Sequence, residues 1–134
     1  MLTLGYFSKF PALFKDREKL AKLVVFKDIS VDKIKDNVIL ITGKTDKYEQ
    51  EIEILNSKIT LKSECKIFCS CESFKYEFAN SVFKNGSLRR PISFIKSIIK
   101  RPKHKNEHNT PSGCKHIVAL IRQSLKVKIK ETQV

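Results

Sequence analysis

The chain has 134 residues, the length of one domain of ordinary size, and its 41% hydrophobic content is enough for a modest core. No apolar run approaches the roughly 20 residues that a membrane helix needs, which excludes a membrane-spanning protein and predicts a soluble single domain over residues 1–134. The net charge is +13, from 27 basic and 14 acidic side chains, and this excess indicates an anionic partner or simple solubility.

The first 36 residues predict an apolar arm, a short helix and a loop. Residues 2–14 are rich in aromatic side chains and are interpreted as an arm packed on the protein's own core, with docking onto a neighbouring subunit as the alternative. Asp16 is placed to cap a helix that runs to about Leu23, with Leu20 and Leu23 facing inward. Residues 28–36 are polar and predict a loop or turn.

Residues 37–69 predict an antiparallel sheet of about three strands. Residues 37–42 are apolar on both faces, which is typical of a central or covered strand. Residues 48–54 alternate glutamates with mostly apolar side chains, which predicts one wet face and one dry face. A third strand, over residues 59–69, follows a turn at residues 56–57 and continues the period of two residues.

The second half of the chain predicts two helices. Phe74, Phe78 and Val82 recur at helical spacing, so residues 72–84 predict an amphipathic helix whose end is marked by Asn85-Gly86. A closing helix is predicted from residue 116 to residue 125. Residues 126–134 predict a basic tail that can form a short strand.

Two pairs of metal-binding residue types lie far apart in the sequence. Cys69 and Cys71 form a C-x-C pair, and Cys114 and His116 form a C-x-H pair. Three thiolates and one imidazole are a set that a structural Zn²⁺ closes tetrahedrally. Buried thiols or a disulfide are the alternatives, but disulfide frameworks belong to secreted domains with denser cysteine, and no signal segment is visible at the N-terminus. The pattern therefore predicts one structural Zn²⁺ held by these four residues.

Three other potential ligands are weaker candidates. Cys65 lies four residues before Cys69, about 13 Å along a strand, so it is interpreted as a buried thiol. His104 and His108 are four residues apart, but Pro102 and the polar residues around it argue against the helix that would align them.

The C-x-C…C-x-H pattern resembles the SWIM zinc finger, whose ligands lie on a β-β-α unit. The resemblance covers residues 67–125 and implies an α+β fold, in which a small antiparallel sheet precedes the zinc-tied unit. Residues 71–79, together with residues 113–117, are also similar to small SWIM-like proteins from the virion gene modules of tailed bacteriophages. This second resemblance implies a protein that is made in the host cytoplasm and incorporated into the virion, where it contacts other virion proteins.

A long basic insert, residues 87–113, separates the two ligand pairs, and in this the chain departs from the compact finger. Residues 84–134 hold 13 basic and 2 acidic side chains, whereas residues 1–83 hold 14 and 12. Such segregation of positive charge indicates that the insert binds an anionic partner. The alternative is that the insert is a solvated linker. The candidate residues for nucleic acid or another anionic partner are Arg89, Arg90, Lys96, Lys100, Arg101, Lys103 and Lys105.

No catalytic constellation is visible, and four protein ligands leave no open position on the metal, so neither an enzyme nor a small-molecule substrate is expected. Two function classes remain. In the first, the protein is a zinc-stabilised structural component of a tailed-phage virion (head, neck or tail) that docks onto larger subunits and can lie close to packaged DNA. In the second, it is a sequence-nonspecific nucleic-acid-binding module, with the metal fixing the fold and the insert tracking phosphates.

Overall fold

The computed structural model describes residues 1–90, 106 and 109–132, with side chains to residue 126. Predictions that fall on Lys96, Lys100, Arg101, Lys103 and Lys105, and on His104 and His108, lie outside the described residues. The described elements are α1 (Leu4–Phe7), a 3₁₀ helix (Ala12–Arg17), α2 (Glu18–Lys22), β1 (Asp28–Lys35), β2 (Val38–Lys44), β3 (Glu49–Ile54), β4 (Cys65–Cys69), a π-helical segment (Phe74–Phe78) that continues as α3 (Ala79–Lys84), and α4 (Lys115–Thr132).

The four strands form one antiparallel sheet in the order β1-β2-β3-β4, and the α+β class is confirmed. The sheet has one strand more than expected, because residues 28–35 are an edge strand and not a loop. Every side chain of β1 is at least partly exposed, so the strand has no dry face for a sequence pattern to reveal. β2 is central, as predicted, and Ile39 and Ile41 are its buried residues.

β3 shows the predicted alternation, since Gln50, Ile52 and Ile54 are buried while the glutamates face the other way. β4, in contrast, begins only at Cys65, although a strand from residue 59 was expected. The N-terminal arm pairs with the preceding residues: Leu4 N donates to Ser63 O at 2.8 Å. The backbone oxygens of Leu61 and Ser63 therefore accept hydrogen bonds from the arm and not from β3.

The apolar arm packs on its own domain. Leu4, Phe7, Phe10 and Phe14 are all at most 4% exposed. Gly5 allows the close approach, because a Cβ at this position would lie 2.8 Å from the carbonyl oxygen of Leu61.

The short helix that follows the arm buries a different face from the one that the sequence predicted. α2 begins at Glu18 and has no side-chain cap, so Asp16 does not cap it. Leu20 and Leu23 are 48% and 75% exposed, although both were expected to face inward, and Ala21 is the buried residue. In this orientation Glu18 accepts two hydrogen bonds of 2.7 Å from the Arg122 guanidinium of α4.

The helix predicted over residues 72–84 is confirmed, with one π-helical turn from Phe74 to Phe78. It ends at Lys84, and the chain leaves it through Gly86, whose φ of +73° is in the left-handed region that glycine tolerates. α4 runs to Thr132, so the predicted basic tail is helical as far as that residue. No helix in the described part of the chain is long and apolar enough to cross a membrane.

The first residues of the predicted insert belong to the sheet. Ile67 N donates to Ser87 O at 2.7 Å, and Arg89 N donates to Ile67 O at 2.9 Å, so residues 87–89 pair with the outer edge of β4. At the other end, Asn106 is fully buried and its Nδ2 donates to the backbone oxygens of Glu77 and Thr110. The chain is therefore anchored on both sides of residues 91–105.

α4 packs against the dry face of the sheet, and it approaches the sheet closely at Gly43. A Cβ at this position would lie 3.1 Å from both terminal methyl groups of the buried Leu120, and 3.0 Å from Gln50 Oε1. We expect Gly43→Ala to lower the free energy of unfolding by about 1–3 kcal/mol, because both neighbours are fully buried and would have to shift to admit the methyl group. Chemical denaturation measures the change. Lys44→Ala, at the exposed next residue, is the matched control and should stay within about 0.5 kcal/mol of the parent. An unchanged Gly43→Ala protein would show that α4 is free to shift.

Candidate metal centre

Two chain segments deliver the four predicted ligands to one point. β4 ends at Cys69, and the chain turns through Ser70 so that Cys71 precedes the next helix. The turn is fixed to β3, since Ser70 N donates to Glu49 O at 3.0 Å and Glu49 N donates to Ser70 Oγ at 2.9 Å. Cys114 immediately precedes α4, and His116 is in its first turn. The centre thus joins the end of the sheet to the beginning of the last helix.

The geometry of the cluster fits a tetrahedral Zn²⁺. The four ligand atoms all lie within 4.8 Å of one another, and the four residues are buried. His116 Nδ1 is 3.7 Å from Cys69 Sγ and 3.9 Å from Cys114 Sγ. With Zn–S near 2.3 Å and Zn–N near 2.0 Å, a tetrahedral ion separates two sulfurs by about 3.8 Å and a sulfur from the nitrogen by about 3.5 Å. The residues present therefore suit a closed site with three sulfurs and one nitrogen.

Hydrogen-bond donors surround the sulfurs. The backbone N–H of Phe74 donates to Cys71 Sγ at 3.4 Å, and Gln50 Nε2 donates to Cys69 Sγ at 3.7 Å. Such contacts orient thiolate ligands and offset their charge. Sequence reasoning assigned Gln50 only to the dry face of β3. Its polar side chain between apolar neighbours was the available signal for a role at the metal.

The thiols differ in acidity. Burial raises the pKa of Cys69 to about 12 and raises that of Cys114 well above its usual value. Contacts with the sulfurs of Cys114 and Cys69 lower the pKa of Cys71. Zn²⁺ binding has to displace the thiol protons, and binding is therefore coupled to proton release.

The fourth cysteine is separate from the cluster. Cys65 is fully buried, and burial raises the pKa of its thiol to about 12. It is not one of the four clustered residues, and all four cysteines are free, so the disulfide alternative does not apply. A buried, inert thiol is the predicted state of Cys65.

The SWIM zinc finger family model matches residues 52–85. The SWIM match includes Cys69 and Cys71 and ends before Cys114 and His116, which the fold brings to the first pair. The SWIM resemblance and the single structural zinc are thus confirmed, while the resemblance to phage virion modules stays a prediction. A search of the curated proteins and a search of the solved structures found no significant match.

Two of the predicted anion-binding residues, Arg89 and Arg90, lie on the outer face of the sheet. Arg90 Nε is 2.5 Å from Glu51 Oε1, and Arg89 Nε is 3.3 Å from Glu53 Oε1. The Arg90 guanidinium also lies over the ring of Phe68, 5.4 Å from its centroid. Their charges are balanced within the chain, so any phosphate binding by the insert depends mainly on the basic residues further along it.

We expect Gln50→Met to weaken zinc binding without abolishing it. The change keeps the buried volume but removes the N–H donor to Cys69, and loss of such a partner typically lowers metal affinity about 10- to 100-fold. Competition with a chromophoric chelator measures the affinity. Ile52→Val, which trims an apolar side chain on the same face of β3, is the matched control and should leave zinc affinity unchanged. Equal affinities for the parent and Gln50→Met would contradict a role for Gln50 at the metal.

Proposed function

We propose that this protein is a non-enzymatic, zinc-stabilised structural module that docks onto larger protein subunits. The observation that supports the proposal is the closed, buried ligand set of Cys69, Cys71, Cys114 and His116. Four protein ligands leave a zinc ion no position for water or substrate, which is typical of structural and not catalytic sites. The ion holds together two parts of a small domain whose sheet and last helix share only a modest core.

The proposed partners are the larger subunits of a tailed-phage particle, and the proposed location is the virion. Support comes from the similarity of residues 71–79 and 113–117 to SWIM-like proteins of phage virion modules. A rigid metal-tied domain suits this role because a docking surface that is already ordered loses little entropy on binding.

Sequence-nonspecific nucleic-acid binding is the second candidate, supported by the basic excess of residues 84–134. With Arg89 and Arg90 engaged by Glu51 and Glu53, the binding charge would come from the other five basic residues of the insert. Those residues are Lys96, Lys100, Arg101, Lys103 and Lys105. Binding would follow phosphates and would weaken steeply with salt.

Whether the protein associates with purified particles distinguishes the two candidate functions. A tagged copy, expressed in cells that assemble the particles, is followed through density-gradient purification before and after nuclease and high salt. Docking onto subunits predicts that the protein stays with particles in both treatments, because apolar contacts survive salt. Recovery only with free nucleic acid would overturn the docking proposal.

A salt titration provides the second half of the test. The zinc-loaded protein is titrated with a duplex of about 30 base pairs of random sequence across a range of salt concentrations. The nucleic-acid function predicts a steep decrease of affinity with salt, and a shallower slope when the five insert residues are replaced by glutamine. Zinc content is the control, since none of the five is a ligand. No binding at low salt would eliminate this candidate.

A further inference from the structure

An open groove of about 480 Å³ lies beside the metal centre. One side comes from α2 and the residues that follow it, and the other comes from the turn between β2 and β3. Tyr48 and the metal ligand His116 both line it, with their ring centroids 5.5 Å apart. The volume is within the range of about 300–1,000 Å³ that is common for ligand sites.

The rim of the groove is more apolar than an ordinary surface. Leu20, Leu23 and Val25 line it and are 48%, 75% and 78% exposed. Single exposed aliphatic residues need no explanation, but three around one concave site mark an interaction surface. Glu18 of α2 is bound to Arg122 of α4, and Leu20 and Leu23 lie at the surface in this arrangement.

The charge of the groove is positive. Lys47 and Lys115 line it, and within the described residues no ion pair engages either of them. Asp46 is the acidic residue of the lining, and Lys27 neutralises it at 2.9 Å. An occupant of the groove therefore has to be complementary to cations as well as to aliphatic side chains.

The walls are held in place before any partner binds. In the β2–β3 turn, Thr45 N and Thr45 Oγ1 donate to Tyr48 O at 2.9 and 3.2 Å. Beside this turn, zinc ligation fixes the His116 ring, which contacts Tyr48. A preformed site loses less entropy on binding than one that has to be ordered.

We propose that this groove is the docking site for an acidic, leucine-rich peptide segment of a partner protein. Aliphatic side chains of the segment pack on the apolar rim, and its carboxylates pair with Lys47 and Lys115. The inference rests on the proposed docking function, because it takes the partner to be a protein. The chain's own basic insert and a second copy of this chain fit less well, since both bring further positive charge.

Three labelled peptides of about 12 residues test the chemistry. They combine leucine with glutamate, leucine with lysine, or alanine with glutamate, and each is titrated into the zinc-loaded protein by fluorescence anisotropy. The leucine–glutamate peptide should bind with a Kd of about 10–100 µM, and the other two at least about tenfold more weakly. Absence of binding by the first peptide, or equal binding by all three, would overturn the proposal.

Surface variants locate the binding. Leu23→Ser combined with Val25→Ser, and separately Lys47→Glu, should each weaken the leucine–glutamate peptide by about tenfold or more. Leu61→Ser, at another exposed leucine that does not line the groove, is the matched control and should bind normally. Amide shifts should concentrate on residues 20–25 and 45–48. Full peptide affinity in the Leu23/Val25 variant would place the peptide elsewhere and overturn the proposal.

Two further measurements distinguish failure of the groove proposal from failure of the proposed docking function. Sedimentation of the parent protein reveals any dimer, and a dimer lost in the Leu23/Val25 variant would assign the groove to a second copy and overturn the peptide proposal. The same variant is then tested for particle association. If it still enters particles, the docking function stands and this groove is not the docking site. If the parent protein itself never enters particles, the proposed function fails independently of the groove.

Discussion

Cys71→Ser is expected to purify without stoichiometric zinc. A serine hydroxyl at this position cannot replace the thiolate, and a structural ion with three remaining protein ligands is held far more weakly. Because metal binding is coupled to folding, the free energy of unfolding should decrease by about 5 kcal/mol or more, which is comparable with the whole stability of a small domain. Elemental analysis measures zinc per chain, and thermal unfolding measures the stability.

Cys65→Ala is the matched control for this loss. Cys65 is also a buried cysteine, but it is not one of the four clustered residues. The variant should keep one zinc per chain and lose only the modest stability that a smaller core side chain costs. Full zinc content in Cys71→Ser, or loss of zinc from Cys65→Ala, would contradict the ligand set.

Glu77→Gln is expected to have the second-largest effect, through a buried ion pair. Arg17 Nη2 lies 2.6 Å from Glu77 Oε2, and the two side chains are only 17% and 10% exposed. The Arg17 guanidinium also lies over the rings of Phe14 and Phe78, at 4.8 and 5.2 Å from their centroids. Removing one charge leaves the other buried without a counter-ion, which typically costs about 3–5 kcal/mol. Denaturant unfolding at neutral pH measures the loss.

The exposed pair between Lys27 and Asp46 provides the control. Its side chains are 63% and 81% exposed, so Asp46→Asn should leave stability nearly unchanged. A double variant, Arg17→Met with Glu77→Leu, should recover part of the loss because neither charge remains buried. If Glu77→Gln were no more harmful than Asp46→Asn, the buried pair would not stabilise the fold.

The parts of the fold that could be predicted are those in which buried residues recur at the regular spacing of a strand or a helix. The glutamates of β3 alternate with buried residues, and Phe74 and Phe78 recur at helical spacing on one buried face. The ligand set was predictable for another reason: zinc selects residue types at short spacing within each pair, whatever the distance between pairs. The chemistry of Cys69 and Cys114 was therefore visible although the fold joining them was not.

The parts that could not be predicted depend on contacts between distant residues. β1 is exposed on both faces, so no alternation of apolar and polar residues indicated a strand that pairs with β2. α2 is five residues long, and its orientation depends on Arg122, more than a hundred residues away. Likewise, the charges of Arg89 and Arg90 suggested an external anion, whereas their nearest acceptors are carboxylates of β3.

Anchoring on both sides of residues 91–105 makes this segment a natural place for length variation. Ser87 and Arg89 are bonded to Ile67 on one side, and Asn106 is bonded to Glu77 and Thr110 on the other. The entropic cost of connecting two fixed chain ends grows slowly, by about 0.6 kcal/mol for each doubling of the number of residues between them. A peptide tag or a small domain grafted between Arg90 and Asn106 should therefore leave the metal centre intact, so new recognition elements can be added there without redesigning the domain.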